Sequence, residues 1–143
     1  MIVREIIFGS DAYREECALR QRVLRAPLGL NLHDEHLDAE KDQLHFGLFD
    51  DNGKLVASVT VVVLSTTQAK IRQMAVAPEQ QRRGCGRLLM QSVEAVLLQR
   101  GLTQLSLHAR KAVVGFYAGL GYTTFGEDFI EVGIPHVEMS KVL

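Results

Sequence analysis

The chain predicts an α/β fold (an α+β mixed sheet): a central mixed β-sheet flanked by helices and built as one domain over residues 1–143. Three observations carry this. Strand-type and helix-type patterns follow in the order β-α-β-β-β-α-β-α-β-β, with hairpins early and late around one strand–helix–strand crossover, so both antiparallel and parallel pairing are needed. The segment Q-R-R-G-C-G at residues 81–86 stands between an apolar strand and an amphipathic helix. A content of 47% hydrophobic and 23% charged residues in 143 suits one ordinary globular core.

Residues 2–8 are β-branched and apolar enough for a first strand. Ser10 is placed to cap a helix in which Tyr13, Cys17, Leu19 or Arg20, Val23 and Leu24 recur at helical spacing, and Pro27 and Gly29 end it. Arg20, Arg22 and Arg25 read as a solvated face of that helix. Residues 31–42 are polar and acidic and read as a loop with some helical turn. Strands over 44–49 and 55–64 are joined by Asp50-Asp51-Asn52-Gly53, where Asn-Gly supplies left-handed positions. The second is apolar nearly throughout, as in a strand covered on both faces. A strand over 70–76 follows. Leu88, Leu89, Val93, Val96 and Leu97 then mark a helix over 86–100, closed by Gly101. The remainder reads as a strand (102–109), a short helix (113–120) stopped by Gly121, and strands over 122–130 and 137–142 turned around Gly133-Ile134-Pro135.

A formal net charge of -1 gives no general attraction to nucleic acid or to an anionic membrane. Cys17 and Cys85 are too few for a disulfide framework, and no Cys/His spacing matches a zinc site. His33 and His36, with Asp34 and Glu35, lack a closed ligand set, so no metal is expected. The longest apolar run, 55–64, is far too short to span a membrane, and Arg4 and Glu5 are unlike a signal peptide. A cytoplasmic protein is the expectation.

Two glycines just before a helix let the backbone curl so that several N–H groups converge, and the helix adds its unpaired amides and positive dipole end. An anion of phosphate size fits there. A dinucleotide fingerprint needs a third glycine where Leu89 stands, and a P-loop needs Lys-Ser or Lys-Thr where Arg87-Leu88 follows. Neither nucleotide motif is present. Arg82, Arg83 and Arg87 surround the loop with positive charge.

I-R-Q-M-A-V-A-P at 71–78, Q-R-R-G-C-G at 81–86 and F-Y-A-G-L-G-Y at 116–122 resemble, in this order, the fourth strand, pyrophosphate loop and Phe-Tyr signature of the GNAT acetyltransferase superfamily. E-V-G-I-P-H-V-E-M-S-K at 131–141 and L-R-Q-R-V-L-R-A-P-L-G-L at 19–30 are similar to its ElaA-like members, so the resemblance spans nearly the whole chain. It implies a GNAT-like acyl-CoA N-acyltransferase fold, often dimeric. It also implies an acetyl-CoA-dependent N-acetyltransferase passing acetyl directly to an amine in a ternary complex.

The same resemblance implies roles for residues. Met74, Ala75 and Val76 would lie along the pantetheine arm, between splayed fourth and fifth strands. Gln81, Arg82, Arg83, Gly84, Cys85, Gly86 and Arg87 would hold the pyrophosphate, with Cys85 a small loop residue rather than a nucleophile. Arg110 stands where the family often has Asn; it would meet a CoA phosphate, or else be a surface charge at the strand end. Tyr117 would protonate the departing thiolate, the alternative being an aromatic packed under the sheet with its hydroxyl bonded to backbone. The base is left open among His108, late in the fifth strand, Glu131 and His136 on the last turn, Glu35 and His36 in the acidic segment, and an ordered water. Glu35 and His136 are expected beside the acceptor. Asp34, Glu35, Asp38 and Glu40 would suit a cationic amine or form a solvated loop. A non-catalytic acyl-CoA-binding or regulatory module on the same fold is the alternative function.

Overall fold

The computed structural model describes all of residues 1–143. Seven strands form one sheet: β1 (Ile2–Ile6), β2 (Leu44–Phe49), β3 (Leu55–Val63), β4 (Gln68–Val76), β5 (Gln104–Arg110), β6 (Thr123–Glu131) and β7 (Ile134–Val142). Their spatial order is β1-β2-β3-β4-β5-β7-β6. All neighbours are antiparallel except β4 and β5, which the crossover helix α2 (Cys85–Gln99) joins in parallel. Helix α1 (Asp11–Arg20) packs on β3 and β4, and α3 (Val114–Gly119) follows β5. Leu89, Met90, Val93 and Leu97 of α2 sink into the larger apolar cluster, and Tyr13, Cys17 and Leu19 of α1 into a second. β3 is buried from Leu55 to Val61, as its unbroken apolar run requires.

Ser10 caps α1 by accepting the Tyr13 amide at 3.2 Å. The helix then widens into a π turn (Gln21–Arg25) before Gly29, at φ 70, reverses the chain. Arg20 and Arg25 are not a solvated face. Arg20 is fully buried; it donates to Glu16 at 3.0 Å and to both carboxylate oxygens of Glu40 at 2.7 Å. Tyr13 donates to Glu40 at 2.8 Å. Both ring nitrogens of His45 face acceptors, Glu16 at 3.0 Å and the Glu40 carbonyl at 2.9 Å, an arrangement that favours the doubly protonated imidazolium. Spacing rules class arginine as polar and cannot see partners that arrive from residues 16 and 40.

β4 and β5 pair only from Gln68 to Ile71 and from Gln104 to Leu107. Beyond that point β4 bulges: Thr60 faces Arg72 but Ser58 faces Ala75, so Gln73 and Met74 together oppose Val59, and Gln73 sits at φ 56. β5 instead stays with β7 as far as Arg110 opposite His136. The two parallel strands therefore diverge, and a wedge opens in mid-sheet.

The last hairpin turns one residue earlier than expected. Glu131 pairs with Ile134, leaving Val132 (φ 46) and Gly133 (φ 78) as the two-residue loop. Pro135 lies inside β7 rather than in the turn. Alternate pairs of an antiparallel hairpin exchange hydrogen bonds, so the nitrogen of Pro135 points away from β6, past the end of β5, where no partner is lost.

Candidate active site

A cleft of about 990 Å³ occupies the wedge. One end is the 81–86 loop. Arg82 (φ 64) and Gly84 (φ 79) take left-handed conformations, and the first helical bond of α2 runs from the Leu88 amide to Gly84 O at 3.0 Å. The six amides from Arg82 to Arg87 make no backbone hydrogen bond. Gly86 is tightly covered: a Cβ there would lie 3.1 Å from Phe116 Cζ, so that ring would have to shift. Cys85 is buried in the core, as a small spacer would be.

The floor of the wedge is β4. The Ala77 amide bonds Val56 O on β3 at 2.9 Å, so by the alternation of an extended strand Ala75 also turns to β3 while Met74 and Val76 turn to the cleft. Gln81 Nε2 donates to Val76 O at 3.1 Å, tying the loop to the strand. Ala75 departs from the expected set: its methyl is buried in the α1 cluster, and it does not line the cleft. Arg83 also points elsewhere, while Gln81, Arg82, Gly84, Cys85, Gly86 and Arg87 all contribute to the lining.

Tyr117 lines the cleft from α3, edge-on to Phe116 and Tyr122. Burial pushes its phenol up to about 12, opposed by the nearby charge of Arg110, and no hydrogen bond contributes. Tyr117 does pack into the larger apolar cluster, as the core-aromatic reading expects, but its hydroxyl has no backbone partner. Arg110 reaches from the end of β5 to donate to Leu24 O in the π turn at 3.2 Å. Burial, then the charge of Arg25, holds its guanidinium below the usual range, with Tyr117 acting the other way.

On β5, His108 Nδ1 lies 2.9 Å from Glu131 Oε1, and Lys70 Nζ lies 3.4 Å from the same nitrogen. An ionised carboxylate only accepts, so the contact with Glu131 calls for a proton on Nδ1, and the Lys70 ammonium, itself only a donor, then makes no hydrogen bond to that nitrogen. Burial raises the Glu131 carboxyl, but the His108 bond and the charges of His108, His136 and Lys70 outweigh it and leave it below the ordinary range. His136 is buried opposite Arg110 in β7. Its Nδ1 donates to Ile134 O at 2.8 Å, and its Nε2 stands 3.7 Å from Glu131. The structure brings Tyr117, His108, Glu131, His136, Met74, Val76 and Arg110 together on one cleft.

Glu35 also lines the cleft, but its carboxylate is held by Arg25 at 2.6 and 3.3 Å. Glu40 is committed to Arg20, and Asp34, Asp38 and His36 lie outside the lining. The acidic segment is thus neither a free acid wall nor simply a solvated loop. Sequence reasoning missed Arg25, Gln73, Val132 and Lys70. Arg25 also donates to Gln73 Oε1 at 3.3 Å, an interaction that exists only because the bulge turns Gln73 toward it. Glutamine carries no sequence signal for a left-handed position.

The family described as acetyltransferase (GNAT) domain matches residues 30–143. The chain belongs to the GNAT acetyltransferase family. Among relatives of this GNAT chain, YyaT of Bacillus subtilis is 34% identical over 73 residues, covering 51% of this chain and 49% of that protein. The chain spans about half the length of the curated relatives it matches. Solved structures align over nearly all of it. Escherichia coli ElaA superposes with a TM-score of 0.78 at 19% identity, covering 99% of both chains. An aminoglycoside 6'-N-acetyltransferase complexed with coenzyme A superposes with a TM-score of 0.82 at 15% identity, covering 99% of this chain and 97% of that one. At such identities the likeness is one of fold: a seven-stranded mixed sheet flanked by helices. No helix of this GNAT chain is long and apolar enough to cross a membrane.

Proposed function

We propose that residues 1–143 form one acetyl-CoA-dependent N-acetyltransferase domain that passes acetyl directly to an acceptor amine in a ternary complex. One observation carries this: a single cleft runs from the partnerless amides of the 81–86 loop to Tyr117 and the His108–Glu131 pair. Those amides, with Arg82 and Arg87, suit a pyrophosphate. Met74 and Val76 offer backbone groups to the pantetheine arm, and the Met74 amide is the candidate donor to the thioester oxygen.

The acceptor nitrogen attacks the thioester carbonyl; its C–N bond forms as the C–S bond breaks. His108 Nε2 takes the proton the amine loses, and Glu131 holds Nδ1–H so that this tautomer persists. Tyr117 gives its phenolic proton to the sulfur. A pKa of about 12 lies above that of a free thiol. A thiolate leaving in the same buried place is desolvated too, so its affinity for the proton rises in step.

The test is release of CoA thiol over a panel of amines and peptides, with acetyl-CoA binding measured alongside. Turnover with at least one amine supports the reading. Acetyl-CoA binding without thiol release across the panel would replace it with the non-catalytic module.

A further inference from the structure

We propose that the acceptor is a small amine carrying a carboxylate, an amino acid in the first instance, and that Arg110 is the anchor for that carboxylate. The assignment rests on the acetyltransferase reading above and names the substrate class of the same cleft.

Arg110 is the odd one among the chain's sequestered arginines. Arg20 is paired with Glu16 and Glu40, and Arg25 with Glu35. Arg110 is half-buried in the cleft lining, yet its guanidinium makes one hydrogen bond, to Leu24 O at 3.2 Å, and no ion pair. A guanidinium brings five N–H donors in a planar fork, so most of them remain for a ligand. The group does not wander. Leu24 O is also held by Arg25 at 3.1 Å, so the end of β5 is fastened to the π turn through a shared carbonyl.

The surrounding charge points the same way. Of the cleft's acids, Glu35 is neutralised by Arg25 and Glu131 is bonded to His108. Arg72 lines the cleft from β4 and has no acidic partner. A polycationic acceptor would meet two unpaired arginines and a single carboxylate, Glu131, that no arginine holds. An amine with a carboxylate would meet a fork built for it.

Spacing supplies the last part. His108 and Arg110 are two residues apart on β5, hence on the same face, with roughly 6.6 Å between their backbone positions. One small molecule can place its amine at His108 Nε2 and its carboxylate at Arg110.

The experiment measures kcat/KM for the common amino acids against their amides and methyl esters, with spermidine and an aminoglycoside as polycations. The free acids should be preferred about tenfold to a hundredfold, expressed in KM. Arg110→Gln should collapse that ratio toward one, and Arg110→Lys should keep part of it. The wild-type ratio decides even if a variant fails to fold. Amides or polycations turned over as well as the acids would overturn the assignment. So would an Arg110→Gln enzyme that keeps the acid preference but binds acetyl-CoA more weakly, which would move Arg110 to the cofactor. Failure to bind acetyl-CoA, or to release thiol with any member of the panel, sinks the acetyltransferase reading itself.

Discussion

In the proposed reaction Tyr117 and His108 divide the proton traffic, and each division has a measurable consequence. Because burial holds the Tyr117 phenol near 12, it remains protonated throughout the neutral range, and its alkaline limb in kcat should fall only at strongly basic pH. Tyr117→Phe should lower kcat about a hundredfold while leaving acetyl-CoA affinity by calorimetry within about twofold. Equal turnover in the two proteins would end its assignment as the acid. Glu131, held below the ordinary carboxylate range, is ionised at neutral pH and can accept the His108 hydrogen bond there. His108→Gln should lower kcat/KM about a hundredfold, whereas Glu131→Gln should lower it about tenfold, both read from initial rates of thiol release. These residues were legible in the sequence because a motif and a strand end mark them. Arg25 was not, since its partners Glu35 and Gln73 are brought by a turn and a bulge that leave no periodic trace.

At the scale of elements, the loop and α2 stand or fall on two glycines that do different things. Gly84 is needed for its backbone, at φ 79 in open space, so Gly84→Ala should cost about 1 kcal/mol of stability in urea melts. Gly86 is needed for its missing side chain, because any Cβ presses on Phe116. Gly86→Leu should weaken acetyl-CoA binding at least about tenfold while circular dichroism keeps the native spectrum; unchanged affinity would mean the loop is not where the pyrophosphate sits. The order of strands and helices was readable because apolar periodicity is strong in β3 and α2. The last turn was misplaced because Gly-Ile-Pro carries turn residues, whereas the chain reverses at Val132-Gly133 and tolerates Pro135 where β5 has ended.

Across the molecule, the segment that brings Glu35 to the cleft hangs on the buried cluster of Tyr13, Glu16, Arg20, Glu40 and His45, which fastens Glu40 to α1 and β2. Arg20→Met should cost about 3–5 kcal/mol, because it leaves the Glu40 carboxylate buried without its cation. The cluster also sets a pH window. Burial raises the Glu40 carboxyl, but the Arg20 bond and charge outweigh it and the net shift is downward. Its contribution is present above the ordinary carboxylate value and is lost as pH falls through the lowered one. Burial lowers His45, but the Glu16 bond and charge outweigh that and raise it. Its contribution is complete below the ordinary imidazole value and is lost as pH rises through the raised one. Urea-melt stability should therefore be greatest between the two, in weakly acidic solution, and His45→Gln should remove the alkaline decline. A wild-type profile that climbs steadily toward alkaline pH would contradict the imidazolium.

Val132 occupies a left-handed position that a β-branched residue enters only under constraint, in the two-residue turn between Glu131 and Ile134. Its side chain looks into the cleft. Selection for heat resistance alone would be expected to replace it with Asn, which relaxes the turn by about 1 kcal/mol. If Val132 persists against that gain, the hairpin is being held at a particular cant for the sake of Glu131 and His136, and the sturdier protein would be the slower catalyst.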